Sequence, residues 1–458
     1  METMMSRMQM EGSEFIEWRY SGKVPELTTR EMLKLAVPSM LFAVLTHAYR
    51  SVDQFWIQGE GTAAQGALGA SAFVIILFAA FMTLLSAGAS PLIARATGAG
   101  DDKALRRALG AGLSGVAGIT IFLMVMGVLG ADTIAATLGL KGEAAEQCAA
   151  YLTMLSWTIF PLVLVPLIDQ TFIAMGDARL PMKLHAVSLS INIALTPVFI
   201  YNLDLGIAGA ALASNLSRAI TTFVGFVILW KRTGLSLSDI HGGDELRRVL
   251  RIGFPIAFNV AGYTLVYWAL LSTSISPLGE EVDAALGIGF SALEGLTWPC
   301  FHGLSLATAS FVGRYLGAGE KEKAKLVVRK ALPLATALGV TAMLLFGLSG
   351  PFLTGLFTGD PVVHKEAILY ASILAFSQVF VAWEALFEGT LSGAGDTRTV
   401  FWLSLPFNLM RIPLAWIFAF PMGFGAAGIW WAINITTFLK ATAKGWAVWS
   451  GKWAEIEV

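Results

Sequence analysis

A spacing of 219 residues relates three pairs of matching segments in this chain. Ala94-Arg95-Ala96-Thr97-Gly98-Ala99-Gly100 returns as Gly313-Arg314-Tyr315-Leu316-Gly317-Ala318-Gly319. Met175-Gly176-Asp177-Ala178-Arg179 returns as Ala394-Gly395-Asp396-Thr397-Arg398, and Gly206-Ile207-Ala208-Gly209 as Gly425-Ala426-Ala427-Gly428. One unit is present twice. In an apolar chain, such a duplication predicts two similar helical bundles that rock against each other around a shared cavity.

The chain is apolar enough to demand a membrane: 56% of residues are hydrophobic, 14% charged, and the mean hydropathy is +0.68, outside the range of ordinary soluble domains. A spanning helix needs about 20 mostly apolar residues, and twelve such stretches can be placed, six per repeat. The expected fold is an all-α membrane protein of twelve transmembrane helices, in two six-helix bundles related by a pseudo-twofold axis along the membrane normal. It divides into a cytoplasmic lead-in at 1–30, an N-lobe at 31–231 (helices 1–6), a linker at 232–248, a C-lobe at 249–449 (helices 7–12) and a cytoplasmic tail at 450–458.

Charge placement predicts the orientation. Of the 31 Lys and Arg residues, Lys141 and Lys365 fall in loops on one side, and Arg50, Arg218 and Arg411 fall within spans. The rest are assigned to the side of the N-terminus, which the positive-inside rule makes cytoplasmic. Both termini are then cytoplasmic, in a cell inner (plasma) membrane protein. The first 30 residues lack an apolar core of signal-peptide length. Cys148 and Cys300 are too few and too dispersed for a metal centre or disulfide framework, and the net charge of -1 carries no sign of nucleic-acid binding.

An ionisable side chain inside a span costs about 2.5 to 3.5 kcal/mol on insertion scales, so each asks for a reason. In the first span, Thr46, Tyr49 or Arg50, and Asp53 share a helix face. Asp53 either neutralises Arg50 within the helix or exchanges a proton or Na⁺. Asn192 and Thr196, four residues apart in the fifth span, precede Pro197, which frees a carbonyl and gathers polar groups at a kink. They either bind a cation or satisfy their own helix. Asp169, eight residues before the Gly176-Asp177 turn and within a turn or two of the cytoplasmic surface, reads as a wetted interfacial acid or as a functional one.

The second half carries its acids elsewhere. Glu384 and Glu388 share a face of the tenth span and repel when both are ionised, which makes a protonatable site plausible. Glu294 lies midway along the eighth span, five residues before Pro299, with Trp298 one turn on and no basic neighbour in sequence. Arg411 is a candidate partner for one of these acids. Asn259, Tyr263 and Tyr267 form a polar aromatic stripe on the seventh span, suited either to amphipathic cations or to packing. The candidate ion-coupling residues are thus Asp53, Asn192, Thr196, Glu294, Glu384 and Glu388; the candidate substrate-lining residues are Tyr49, Asn259, Tyr263, Tyr267, Trp298 and Arg411. In the two Gly-Asp turns, Gly ends one helix in a left-handed cap and Asp caps the next.

No nucleotide-binding glycine loop, metal-binding helix or nucleophile elbow is present in the sequence, so no enzyme is expected. No cofactor is expected either, beyond a coupling ion, H⁺ or Na⁺. Val52-Asp53-Gln54-Phe55-Trp56, Gly98-Ala99-Gly100, Asn192 through Pro197, Gly206-Ile207-Ala208-Gly209-Ala210-Ala211 and Leu391-Ser392-Gly393-Ala394-Gly395-Asp396-Thr397-Arg398, in that order, resemble the MATE family, multidrug and toxic compound extrusion, over about residues 30 to 445. The chain is most similar to its prokaryotic DinF-like branch. The resemblance implies two six-helix lobes around a V-shaped cleft and a secondary active multidrug efflux transporter. It also implies antiport of organic cations or amphipathic drugs against H⁺ or Na⁺ by alternating access, in a lipid bilayer and as a monomer. In the DinF-like branch the N-lobe site takes an aspartate from the first span and an asparagine and a second aspartate from the fifth; here these are Asp53, Asn192 and Thr196, so one carboxylate is lost. The NorM-like branch uses a glutamate on the seventh span and an aspartate on the tenth, near Tyr263 and near Glu384 and Glu388. The alternative, a flippase of lipid-linked saccharides, requires a cationic cavity, for which Arg50, Arg218 and Arg411 are available. A passive channel is disfavoured because no repeated pore-lining filter is visible.

Overall fold

A computed structural model of the chain describes residues 26–457, so most of the 1–30 lead-in and the last residue of the tail lie outside the described residues. The described residues form helices and turns without strands. The first three spans are Thr29–Ile57, Thr62–Ala99 and Asp102–Leu129, and the fourth is a broken pair, Glu143–Trp157 and Phe160–Ala174, bent by 58°. Pro161, at the start of the second piece, supplies no backbone N–H to continue the first. The fifth and sixth spans are Arg179–Pro197, continued by Val198–Asn202, and Gly206–Thr233. In the second half, the seventh begins at Asp244–Leu270, the eighth joins Glu280–Ile288 to Gly295–Gly317, and the ninth begins at Lys321–Leu344. The tenth joins Pro361–Leu374 to Gln378–Ala394, and Thr397–Ala419 and Gly425–Trp449 complete the twelve.

Among the described residues, nine helices pass for membrane spans on length and composition alone, or ten with the bent pair. The eighth and twelfth do not, for a physical reason. The eighth carries Glu294, His302 and Arg314, and the twelfth Asn434, Lys440 and Lys444. Hydropathy charges these side chains as though they faced lipid, whereas Arg314, Asn434, Lys440 and Lys444 are all buried inside the protein.

Helix punctuation follows the side chains that the sequence supplies. Thr28 accepts the backbone N–H of Glu31 at the start of the first span, and Asp101 accepts that of Ala104 at the start of the third. The two Gly-Asp turns form as their composition predicts. Gly176 and Gly395 take φ of 94° and 83°, Asp177 Oδ1 accepts from the N–H groups of Arg179 and Leu180, and Asp396 Oδ1 accepts from that of Thr399. Pro197 ends regular α-helix in the fifth span, where a wider π turn over Val198–Asn202 follows. Similar π segments widen the seventh, eighth and ninth spans at Leu271–Ile275, Gly289–Glu294 and Leu345–Ser349.

Each half packs into a six-helix bundle, and the bundles meet chiefly through the second and seventh, second and eighth, and first and eighth spans. The approach is close because glycine stands at the crossings. A Cβ on Gly88 would lie 2.0 Å from the Val249 carbonyl oxygen, and one on Gly253 would lie 1.8 Å from that of Leu84. The duplicated Arg-x-x-Gly-Ala-Gly segments form the same kind of contact reciprocally: a Cβ on Gly98 would lie 1.9 Å from the Arg314 oxygen, and one on Gly317 2.0 Å from the Arg95 oxygen. All these contacts lie in the half of the molecule that carries the start of the first span and the end of the second. The lobes are therefore joined at the end that bears the chain termini.

Candidate functional site: a polar centre in each lobe

In the N-lobe, Asp53 is 5% exposed and takes its hydrogen bonds from a neutral side chain. Ser214 of the sixth span lies 3.2 and 3.0 Å from its two carboxylate oxygens. Asn192 Nδ2 reaches Ser214 Oγ and Thr196 Oγ1, each at 3.1 Å, and Thr196 Oγ1 donates to the Asn192 carbonyl at 2.7 Å. Asn192 Oδ1 is buried and accepts no hydrogen bond. The structure therefore brings Asp53, Asn192 and Thr196 together and adds Ser214. It does not form the Arg50–Asp53 ion pair weighed from the sequence. Arg50 is exposed, whereas Asp53 turns into the bundle. A spacing of three places two side chains on the same side of a helix, but here packing against the sixth span decides which way Asp53 points.

Tyr49 is buried beneath the Arg218 guanidinium, whose Cζ stands 4.0 Å from the ring centroid. Asp169 is not interfacial: it is 4% exposed and bonded to His185 Nε2 at 2.8 Å.

In the C-lobe, Glu294 sits at the end of the π segment of the eighth span, where Tyr370 of the tenth donates to its Oε1 at 2.7 Å. Arg411 hydrogen-bonds hydroxyls, while its charge acts on Glu294. Its Nε, Nη1 and Nη2 donate to Thr436, Tyr267 and Thr437 at 3.1, 3.4 and 3.3 Å. Tyr263 stands 40% exposed beside Tyr267, which is buried under the guanidinium, and Asn259 is half-buried one turn before. Trp298, 46% exposed, is stacked on His302 at 5.0 Å and meets the edge of His47 of the first span at 5.4 Å. It therefore lies where the lobes meet.

The pairing expected of Glu384 and Glu388 is overturned. Instead of two repelling acids sharing a proton, they flank Lys444, which lies 3.0 Å from Glu384 and 2.5 Å from Glu388 and has no exposed side-chain surface. Lys440, one turn earlier, lies 3.0 Å from Glu384 and donates to Asn408 at 3.1 Å. Both lysines lie within the twelfth span, not among the loop charges on the side of the N-terminus. Two acids four residues apart on one apolar helix, and two lysines four apart on another, were the sequence signal that could have joined them. Ser214 and Tyr370 left no such trace, since lone hydroxyls are common in membrane helices.

The architecture is that of a two-lobed membrane carrier with a buried carboxylate in the N-lobe and a half-buried one in the C-lobe. A family model described as MatE matches the chain twice, at residues 38–198 and 255–417, one match per repeat, and the chain belongs to the MatE family. It is 26% identical to the probable multidrug resistance protein NorM of Thermotoga maritima over 440 residues, covering 94% of each. It is 23% identical to the multidrug export protein MepA of a Staphylococcus aureus strain over 421 residues, covering 90% of this chain and 92% of that one. The fold matches a multidrug resistance MATE family transporter in its outward-facing conformation with a TM-score of 0.87 at 24% identity, covering 94% of this chain and 97% of that one. It matches a MOP superfamily transporter from Pyrococcus furiosus equally well, at 23% identity and the same coverage.

Proposed function

We propose that this protein is a secondary active multidrug efflux transporter that exchanges amphipathic organic cations for H⁺ or Na⁺ by alternating access. The observation that carries this reading is Asp53: a carboxylate buried in a membrane lobe, hydrogen-bonded by Ser214 and forming no ion pair with Arg50. Such a group favours a bound cation whenever it is ionised. Relatives named as multidrug resistance and export proteins support the substrate class.

The lobes are residues 31–231 and 249–449, joined by 232–248. The end carrying the termini, where Lys and Arg concentrate, is cytoplasmic, so the lobes close on the cytoplasmic side and the cleft opens outward. Asp53, Asn192, Thr196 and Ser214 hold the coupling ion in the N-lobe, and Glu294 holds the C-lobe charge. Trp298 and Tyr263 present aromatic faces to the substrate, with Asn259, Tyr267 and Arg411 behind them, whereas the face of Tyr49 is already covered by Arg218. Glu384 and Glu388 have their charge already matched by Lys440 and Lys444 and serve as scaffold. Rocking of the lobes carries the loaded site from one side to the other, and charge competition at Asp53 makes ion and substrate alternate.

The test is transport in proteoliposomes with ethidium as the cationic probe, under imposed pH and Na⁺ gradients applied separately. One gradient is expected to drive ethidium movement in the wild type and to fail in Asp53→Asn. Gradient-driven transport unchanged in both Asp53→Asn and Glu294→Gln would overturn the assignment.

A further inference from the structure

His185 and Asp169 stand outside the coupling site just described, and their surroundings are those of a working pair. Asp169 is on the fourth span and His185 on the fifth, with 4% and 6% of their surfaces exposed. His185 Nε2 lies 2.8 Å from Asp169 Oδ2, and Nδ1 lies 3.5 Å from Thr46 Oγ1. Thr46 already donates its hydroxyl hydrogen to the Phe42 carbonyl at 2.9 Å, so its lone pairs are what His185 Nδ1 meets. The imidazole can thus donate from both nitrogens, to a carboxylate on one side and a hydroxyl on the other. Phe42 and Tyr49 of the first span cover the ring edge-on, and Arg218 of the sixth span is the charged group above Tyr49.

A second observation connects this pair with Asp53. Thr46, Tyr49 and Asp53 ascend one face of the first span, and His185, Ser188 and Asn192 ascend one face of the fifth with the same steps of three and four residues. The ladders are bridged below by Thr46 and His185 and above by Asn192, Ser214 and Asp53. On the rungs between, Tyr49 of the first span meets Ser188 of the fifth and Ser217 of the sixth, and Tyr49, Ser188 and Asn192 are 2%, 2% and 0% exposed. Buried hydroxyl and amide groups in one row can accept and donate in turn, which is what a proton passing along the row requires.

We propose that His185 and Asp169 form a second proton-binding station in the N-lobe, linked to Asp53 by this ladder of hydroxyl and amide groups. The lobe then handles protons in series: Asp53 exchanges with the cleft, and the His185–Asp169 pair, two helical turns nearer the termini, exchanges after the lobes have rocked. This deepens the coupling proposed for Asp53 and rests on it for the direction of proton movement, though not for the existence of the station.

The station is tested by imidazole ¹⁵N resonances of the full-length protein in micelles, with His185→Gln assigning the signals among the five histidines. The His185 resonances are expected to show an inflection with pH, and Asp169→Asn is expected to displace it. Resonances invariant with pH, or an inflection unmoved by Asp169→Asn, would overturn the station. The link to Asp53 is tested by ethidium transport driven by a pH gradient. His185→Gln and Asp169→Asn should bind ethidium within about twofold of wild type, lose at least about tenfold in driven rate, and recover in Asp169→Glu. Wild-type rates in both variants would overturn the link. A wild-type protein that moves no ethidium while the His185–Asp169 inflection persists would overturn the efflux reading and leave the station standing.

Discussion

Arg95 donates from Nη2 to the carbonyl of Ala394 at 2.9 Å, reaching from the N-lobe into the Gly-Asp turn of the C-lobe. Its repeat counterpart, Arg314, reaches the other way: a Cβ on Gly176 would lie 2.6 Å from Arg314 Nη1. Ser310, one turn before Arg314, donates to the Ile173 carbonyl of the same N-lobe helix end at 2.5 Å. The motif that recurs every 219 residues is therefore more than a helix terminator. Each copy supplies an arginine to the other lobe's turn and a glycine to the other lobe's backbone, and together they latch the lobes at the termini.

The latch predicts how small substitutions shift the conformational balance. Gly98→Ala and Gly317→Ala each place a methyl group against a carbonyl, and overpacking of this kind costs about 1 to 3 kcal/mol, a population shift of about 5- to 150-fold toward separated lobes. Spin labels at Lys103 and Lys323 should report longer distances in both variants by double electron–electron resonance. Gly69→Ala, which has open space beside it, should leave the distribution unchanged. Equal distributions in all three would refute the latch.

Ser214 hydrogen-bonds the Asp53 carboxylate at both oxygens, so Ser214→Ala removes that support while keeping the charge. Loss of a hydrogen bond to a charged group is worth about 1.5 to 3 kcal/mol. Ethidium transport in Ser214→Ala should fall by about 10- to 100-fold, with Ser214→Thr near wild type. A Ser214→Ala protein as active as wild type would show that Asp53 does not depend on this hydroxyl.

Lys444 lies between two carboxylates, and Lys444→Met leaves Glu384 to Lys440 and Glu388 without a partner. Breaking a buried ion pair from one side costs about 3 to 5 kcal/mol. The expected result is a large drop in thermal unfolding temperature in detergent, most of it recovered in the double variant Glu388→Gln, Lys444→Met, which keeps the Lys440–Glu384 pair. If the single and double variants melt together, the cluster contributes no such balance.

The two Gly-Asp turns are copies in sequence but differ in their load. Asp177 caps two backbone N–H groups and takes the Arg232 guanidinium at 2.6 Å, whereas Asp396 has one long cap bond of 3.4 Å. Loss of a cap costs about 1 kcal/mol, so Asp396→Ala should lower stability by that amount or less, and Asp177→Ala by more. Chemical unfolding monitored by tryptophan fluorescence compares them directly, and the reverse order would contradict the capping geometry.

Much of the fold was legible because its causes are local or periodic. Apolar length marked most of the spans, and Gly followed by Asp marked both turns, where a left-handed residue and a capping oxygen are needed whatever the surroundings. The eighth and twelfth spans show where this logic weakens, since hydropathy cannot tell a lysine facing lipid from Lys444 enclosed by Glu384 and Glu388. Asp53, Asn192 and Thr196, which the structure brings together, stand out in the sequence because polar groups in an apolar helix are conspicuous. Ser214, Tyr370 and the His185–Asp169 pair do not, because each acquires its meaning from a partner on another helix.

The sequence by itself determined the duplication, the membrane environment, the helix ends and which spans hold unexpected charge. These depend on composition and on spacing along one chain. Only the tertiary structure decided the partners: Asp53 with Ser214 rather than Arg50, Arg411 with the hydroxyls of Thr436, Thr437 and Tyr267, Glu384 and Glu388 with lysines rather than each other. Helical periodicity places a side chain on a face, but the neighbouring helix determines whether that face meets a charge, a hydroxyl or the opposite lobe.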